Sequence, residues 1–334
     1  EKKIDNKNYV LIRKEDEIKD FINLAEENGE LCIDTETSSL DPIQGELIGI
    51  SLSTKIGSAC YIPLGHKNYK NLNINKVLKI LKPVLQDASI KKIGQNIKFD
   101  FIILYQRGIE MNSMEDTMLM SYVLDAGKNR HNMDTLSKIH LNHNPVTYKE
   151  LVGTGKKQIN FREVEVEDAK NYAAEDADIT YRLYKIFHKN LKSEKLTNIY
   201  EVFEKPLIKI LAFMEIAGVK IDKNFLKELS NKFDKKIKIL EKQIYKISKK
   251  QFNIGSTKQL GEVMYNELKI SNTKKTKKGS FATNATVLDD LAFKGYELPK
   301  LVLEWRQLSK LKNTYSDSLP EHLNLKTNRV HTSF

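Results

Sequence analysis

The residues best placed to do chemistry in this chain are carboxylates. In Leu31-Cys32-Ile33-Asp34-Thr35-Glu36-Thr37 the strand period of two puts Asp34 and Glu36 on one face, about 6.6 Å apart at a rise of roughly 3.3 Å per residue. That spacing lets both reach a shared cation. In Gly94-Gln95-Asn96-Ile97-Lys98-Phe99-Asp100 a short strand turns into a helix, on which Asn96 and Asp100 fall four apart on one face. Asp100 shares its face with Ile103 and Leu104, and an acid inside an apolar stripe is expensive to ionise without a partner. A third segment carries Ala169, Tyr172, Ala173, Asp176, Thr180, Leu183 and Phe187 at helical period, a core-facing stripe with Asp176 near its centre. Glu175 and Asp178 point elsewhere and read as surface acids.

Four acids facing inward from three elements leave a large uncompensated charge unless metal sits among them. Oxygen-only ligation suits Mg²⁺ or Mn²⁺. Two ions roughly 3.5–4 Å apart would activate a water and stabilise the departing 3′ oxygen of a phosphodiester. Tyr172, one turn before Asp176, is assigned to orienting that water. The competing reading, a structural Ca²⁺ site, lacks the clustering of ligands in one loop that such sites use.

The elements that must position these residues read as α/β up to about Lys192. Short β-type runs at Glu30–Thr37, Leu47–Thr54, Ala59–Pro63 and Lys91–Gly94 alternate with helical stretches. From Glu201 onward strands nearly vanish, and helices are expected over Lys205–Ala217, Asn224–Lys250, Thr257–Leu268, Thr286–Phe293 and Pro299–Leu319. Ser271–Ser280, basic and apolar-free, reads as a mobile loop. The 334 residues suit two domains at roughly 150 residues each, placed at 1–192 and 193–334.

The net charge of +11 favours a polyanionic partner, nucleic acid foremost. Cys32 and Cys60 form no C-x-x-C pair and fit a reducing compartment. The charged first twenty residues lack the apolar core of a signal peptide, and no apolar run approaches membrane-spanning length. A soluble, intracellular monomer without a membrane partner is expected. Glu at residue 1 and a final stretch, Arg329–Phe334, that reads like a strand cut off midway suggest a fragment.

These motifs resemble the proofreading exonuclease of family A DNA polymerases. Ile33–Asp41 is similar to that family's first exonuclease motif, Gly94–Asp100 to its second and Tyr172–Asp178 to its third. Tyr172 four residues before Asp176, with Asn171 five before it, matches the tyrosine subtype of the superfamily. The resemblance implies a ribonuclease H-like α/β exonuclease domain, a mixed sheet flanked by helices, followed by a mainly α-helical thumb-type domain. It implies metal ligation by Asp34, Glu36, Asp100 and Asp176, with Leu40, Gln95, Asn96, Phe99, Arg130 and Tyr148 contacting a frayed single strand. Phe99 departs from the Tyr usual there, so any contact through that hydroxyl is lost.

The resemblance continues into the helical half. Phe252–Leu260 looks like the thumb tip, and Leu303–Tyr315 is similar to the long helix leading back to the polymerase palm. Ser256 can cap the helix that starts at Thr257, whose positive end with Lys258 suits a phosphate. Arg306 and Lys310, four apart, would track the duplex backbone. The lysines between Lys232 and Lys250 read as solvating one helix face. The resemblance implies that the family's palm and fingers would follow Phe334, and the 5′ nuclease domain found upstream in many relatives is not expected within this chain. The function implied is metal-dependent 3′→5′ removal of nucleotides from DNA, in the cytoplasm, at bacterial-type nucleoid DNA. Two competitors are a ribonuclease D-like exoribonuclease, which would lack the thumb-like segments, and a silent DNA-binding clamp, which predicts a broken motif.

Overall fold

A computed structural model describes residues 4, 5, 7–270 and 281–334; the expected loop Ser271–Ser280 lies outside the described residues. The first elements are β1 (Tyr9–Leu11), α1 (Ile18–Asn28), β2 (Glu30–Thr37), β3 (Leu47–Lys55), β4 (Ser58–Pro63), α2 (Ile74–Gln86), β5 (Lys91–Gly94) and α3 (Ile97–Tyr105). They are followed by β6 (Met114–Asp116), α4 (Thr117–Asp125), α5 (Met133–Leu141), α6 (Tyr148–Val152), α7 (Val166–Ser193), α8 (Thr197–Ile199) and α9 (Lys205–Ala217). Six strands pair in the order β1-β4-β3-β2-β5-β6. The sheet is mixed, since β3 runs antiparallel to β2 and β4, while β2-β5, β5-β6 and β1-β4 are parallel. The two short strands β1 and β6, three residues each, were not legible as strands in the sequence. A run that short carries too few alternations to register a period.

The strand period sorts the residues of β2 between two layers. Leu31 and Ile33 pack in one core with Ile18, Phe21 and Ala25 of α1, Leu81 and Val84 of α2, and Phe101 and Ile102 of α3. Cys32 packs on the opposite face with Ile179, Leu183 and Tyr184 of α7 and Met120 of α4. Helix α7 lies close to the sheet because Ala174 and Ala177 meet Ala59 and Tyr9 there. Beside them Gly49, opposite Glu36 in the β2-β3 ladder, admits the Tyr61 ring, whose hydroxyl would lie 2.1 Å from a Cβ at that position.

Compact packing divides the chain between Ala217 and Gly218, with Phe334 joining the first unit. The change from alternating to helical segments, near 192/193, comes earlier. Helix α9 nevertheless buries Ile208 and Ala212 in the same core as α1, α2 and α3. The second unit contains β7 (Val219–Lys220), α10 (Lys223–Ser248), α11 (Thr257–Gly261), α12 (Ala285–Phe293), α13 (Glu297–Lys310), β8 (Leu323–Asn324) and β9 (Arg329–Val330). Its core joins Ile244, Leu260, Met264, Leu288, Leu291 and Val302. The strands pair as β7-β9-β8, so of the strand expected over Arg329–Phe334 only Arg329 and Val330 pair, in a small sheet that the helical reading omitted. Among the described residues no helix is long and apolar enough to cross a membrane.

Candidate active site

Asp34 and Glu36 leave β2 on the face that carries Cys32, toward α7, and Asp176 leaves α7 toward them. One carboxylate oxygen from each of the three lies within 4.8 Å of the others. Glu36 and Asp176 are buried and Asp34 is half-buried. Among the described residues, no ion pair joins Asp34, Glu36, Asp100 or Asp176 to a Lys or Arg. The electrostatic consequence is large. Burial lifts the Asp34 carboxyl to about 6. Burial, then the charges of Asp34, Asp176 and Asp100, push Glu36 well above the usual carboxylate range. Asp176 is raised by burial and then by Asp34. A cluster of acids with oxygen donors alone and no cationic neighbour fits a hard divalent ion.

Asp100 approaches from the other layer. It is buried on α3, and its Oδ1 accepts from the backbone N–H of Thr35 at 2.8 Å and from Thr35 Oγ1 at 2.6 Å. Thr35 stands between Asp34 and Glu36 on the opposite face of β2, so the alternation that sends two acids to α7 sends this hydroxyl to α3. Asp100 is therefore outside the converging trio, yet near enough for Asp34 to raise its carboxyl, after burial, well above its ordinary value. Thr35 was not singled out in the sequence. Its signal was its position between the two acids.

The Tyr172 hydroxyl donates to Asp176. Burial, and then the charges of Asp176, Glu36 and Asp34, push its ionisation far above the ordinary tyrosine value, so it stays a neutral donor at any working pH. An aromatic wall surrounds it. Tyr148 stacks over Phe161 with centroids 6.4 Å apart and planes at 5°. Tyr172 meets Tyr148 at 6.3 Å and Phe161 at 6.2 Å. Phe161 went unnoticed in the sequence; it opens a short turn whose capping box is formed by Asn160 and Glu163.

Two acids of α7 expected at the surface, Asp178 and Glu175, are instead engaged inside the fold. Asp178 is fully buried, accepting from Tyr9 Oη at 3.0 Å, Gly57 N at 2.6 Å and Arg182 Nε at 3.0 Å. Glu175 is half-buried; its Oε1 meets His143 Nε2 at 2.9 Å and its Oε2 accepts from Val146 N at 3.1 Å, which ties down the loop leading to Tyr148. Helical period gives a side chain's direction but not what awaits it there.

The residues assigned to the single strand fall in varied settings. Leu40 is 89% exposed, on a loop held where Asn160 Nδ2 donates to Ser38 O at 2.8 Å and Arg162 pairs with Glu46 at 2.7 Å. Gln95 donates to His131 O at 2.8 Å. Asn96 does not share a helical face with Asp100: it is the N-cap of α3 in the left-handed region, φ 60°, a conformation that asparagine tolerates. Phe99 is half-buried against the α1–α3 core. Arg130 is exposed, and Tyr148 is 36% exposed.

In the second unit Ser256 caps α11 as expected, accepting from Gln259 N at 3.4 Å. Thr257, Lys258 and Lys310 are exposed. Arg306 is half-buried, with Nη1 donating to Thr283 O at 2.5 Å, and burial lowers its guanidinium below the ordinary value. It is thus engaged within the unit, a partner that spacing on α13 does not disclose.

With this geometry in place, comparison with known proteins gives three findings. A 3′-5′ exonuclease family model matches residues 9–192, and that of DNA polymerase family A matches residues 223–334. The chain is similar to DNA polymerase I of Rhizobium leguminosarum, 42% identical over 99% of the chain and 34% of that protein. For DNA polymerase I of Pseudomonas aeruginosa the figures are 38%, 94% and 35%. The chain thus spans about a third of the length of these curated relatives. Among solved structures, the POL domain of Pol1 from M. smegmatis, in complex with DNA primer-template and dNTP, matches with a TM-score of 0.79 at 22% identity. That match covers 97% of this chain and 52% of the other, and it establishes likeness of fold.

Proposed function

Because this chain belongs to the 3′-5′ exonuclease family of the family A DNA polymerases, we propose that it removes nucleotides from the 3′ end of a DNA strand by metal-dependent hydrolysis, releasing nucleoside monophosphates. The observation that carries this reading is the convergence of Asp34, Glu36 and Asp176 within 4.8 Å, inside the segment that the exonuclease model matches.

Asp34, Glu36, Asp100 and Asp176 would hold two Mg²⁺ or Mn²⁺ ions, which supply a water of lowered pKa and neutralise charge at the departing 3′ oxygen. The chain's own residues do the positioning. Thr35 fixes the Asp100 carboxylate with two hydrogen bonds. Tyr172, a neutral donor beside Asp176, orients the attacking water. Tyr148, backed by the buried Phe161, gives a terminal base a stacking surface, and the exposed Leu40 supplies an apolar wedge. Gln95, Asn96, Phe99 and Arg130 complete the single-strand set. Ser256, Thr257, Lys258 and Lys310 serve duplex DNA, with Arg306 held back by its bond to Thr283. The chain acts as a monomer in the cytoplasm.

The test incubates the purified chain with 5′-labelled single-stranded DNA in Mg²⁺ or EDTA, beside the matching RNA. A metal-dependent ladder of shortened DNA is the expected result. Preference for RNA would point to a ribonuclease, and intact DNA despite measurable binding would reduce the chain to a clamp.

A further inference from the structure

Helix α3 carries Asp100 but does not cap itself. Its N-cap Asn96 makes no side-chain cap hydrogen bond, and the first N–H groups of a helix need a partner when they are buried. The partner comes from a neighbouring strand. In the β5-β6 ladder Gly94 stands opposite Asp116, so the C-terminal ends of the two strands abut. The Asp116 carboxylate, 1% exposed, accepts from Asn96 N at 3.1 Å through Oδ1 and from Ile97 N at 3.0 Å through Oδ2. The same carboxylate caps its own helix α4, accepting from Met118 N at 2.8 Å and Leu119 N at 3.4 Å.

The surroundings leave this clamp little freedom. The Asp116 backbone N–H donates to Tyr200 Oη at 2.9 Å, and that hydroxyl donates to Glu115 at 3.0 Å. Thr117 Oγ1 lies 3.1 Å from Gly94 O and 2.5 Å from Gln95 Oε1. The turn between β5 and α3 is tight, since a Cβ on Gly94 would meet Ile97 Cγ1 at 2.8 Å. Asp100 follows Ile97 by three residues, about 4.5 Å of helix rise, so a shift at the cap is carried directly to its carboxylate.

We propose that Asp116 is a positioning residue of the exonuclease site, holding α3 at the height and angle that bring Asp100 to the other acids. The inference rests on the proposed metal-dependent function but is tested separately from it. Asparagine at 116 keeps one acceptor oxygen for the cap of α4 and turns its amide toward an N–H of α3. Asp116→Asn therefore loosens α3 while keeping the fold. Mn²⁺ binding to the whole chain is titrated by electron paramagnetic resonance, beside single-strand cleavage as a function of Mn²⁺. Groups bonded directly to metal ligands shift metal affinity about tenfold or more when lost; displacing the helix that carries Asp100 is expected to weaken Mn²⁺ binding on that scale, with cleavage recovering at high Mn²⁺. Asp222→Asn, in the N-cap of α10 that accepts from Asn224 and Phe225, is the control for loss of a cap elsewhere and leaves Mn²⁺ affinity unchanged. A folded Asp116→Asn chain that binds Mn²⁺ within twofold of the parent overturns the proposal. A parent chain that binds Mn²⁺ but never cleaves defeats the proposed function alone, because the shift in affinity still decides the role of Asp116. A parent that binds no Mn²⁺ overturns both.

Discussion

Replacing Asp176 with asparagine should make the metal-free protein more stable while abolishing its chemistry. The three converging acids lie within 4.8 Å of one another. At that separation and an effective dielectric of about 20, a pair of full charges repels by roughly 3 to 4 kcal/mol. Partial protonation relieves some of this, and asparagine keeps an acceptor for Tyr172, so the net gain should be about 2 kcal/mol. For a unit of this size that is roughly 4–8 °C in melting temperature. The pH dependence has a definite sign. Asp34, raised from 3.8 to about 6, and Asp176, raised well above its ordinary value, bind more protons folded than unfolded, so the penalty grows as pH rises through these folded-state values and fades as pH falls toward 3.8. The gain from Asp176→Asn should accordingly be largest near pH 8 and shrink near pH 5. Calorimetric melts of both proteins in EDTA at the two pH values test this, with a Mn²⁺ arm in which only the parent is stabilised. A variant that melts below the parent in EDTA at pH 8, or gains equally at both pH values, would refute the reasoning.

Tyr172→Phe removes the donor to Asp176 but no carboxylate, so Mn²⁺ binding should weaken and kcat on single-stranded DNA should stay down by about tenfold or more even at saturating Mn²⁺, read from steady-state kinetics beside a metal titration. Asp178→Ala strips the acceptor shared by Tyr9, Gly57 and Arg182. A loss of about 3 kcal/mol is expected by chemical denaturation, without a change in metal dependence for the protein that remains folded. Leu40→Ala, at a side chain 89% exposed, should leave stability within about 0.5 kcal/mol and raise KM for a single-stranded end; an unchanged KM would remove Leu40 from the strand path.

Much of the site could be read directly from the sequence because its governing rules are local. The bounds of β2, β5 and α9 coincide with those read from the sequence. The shared face of Asp34 and Glu36, the inward direction of Asp176 and the Ser256 cap follow from the geometry of a single element. What only the tertiary structure decided is which groups meet from different elements. Thr35 joins Asp100 because α3 happens to cover that face of β2. Asp178 is buried because the β3-β4 turn and Tyr9 close over it, and Arg306 is engaged because Thr283 comes within reach. Asp116 caps two helices because β5 and β6 end side by side. Period fixes where a side chain points, whereas its partner is set by packing between segments distant in sequence, and no local pattern encodes that.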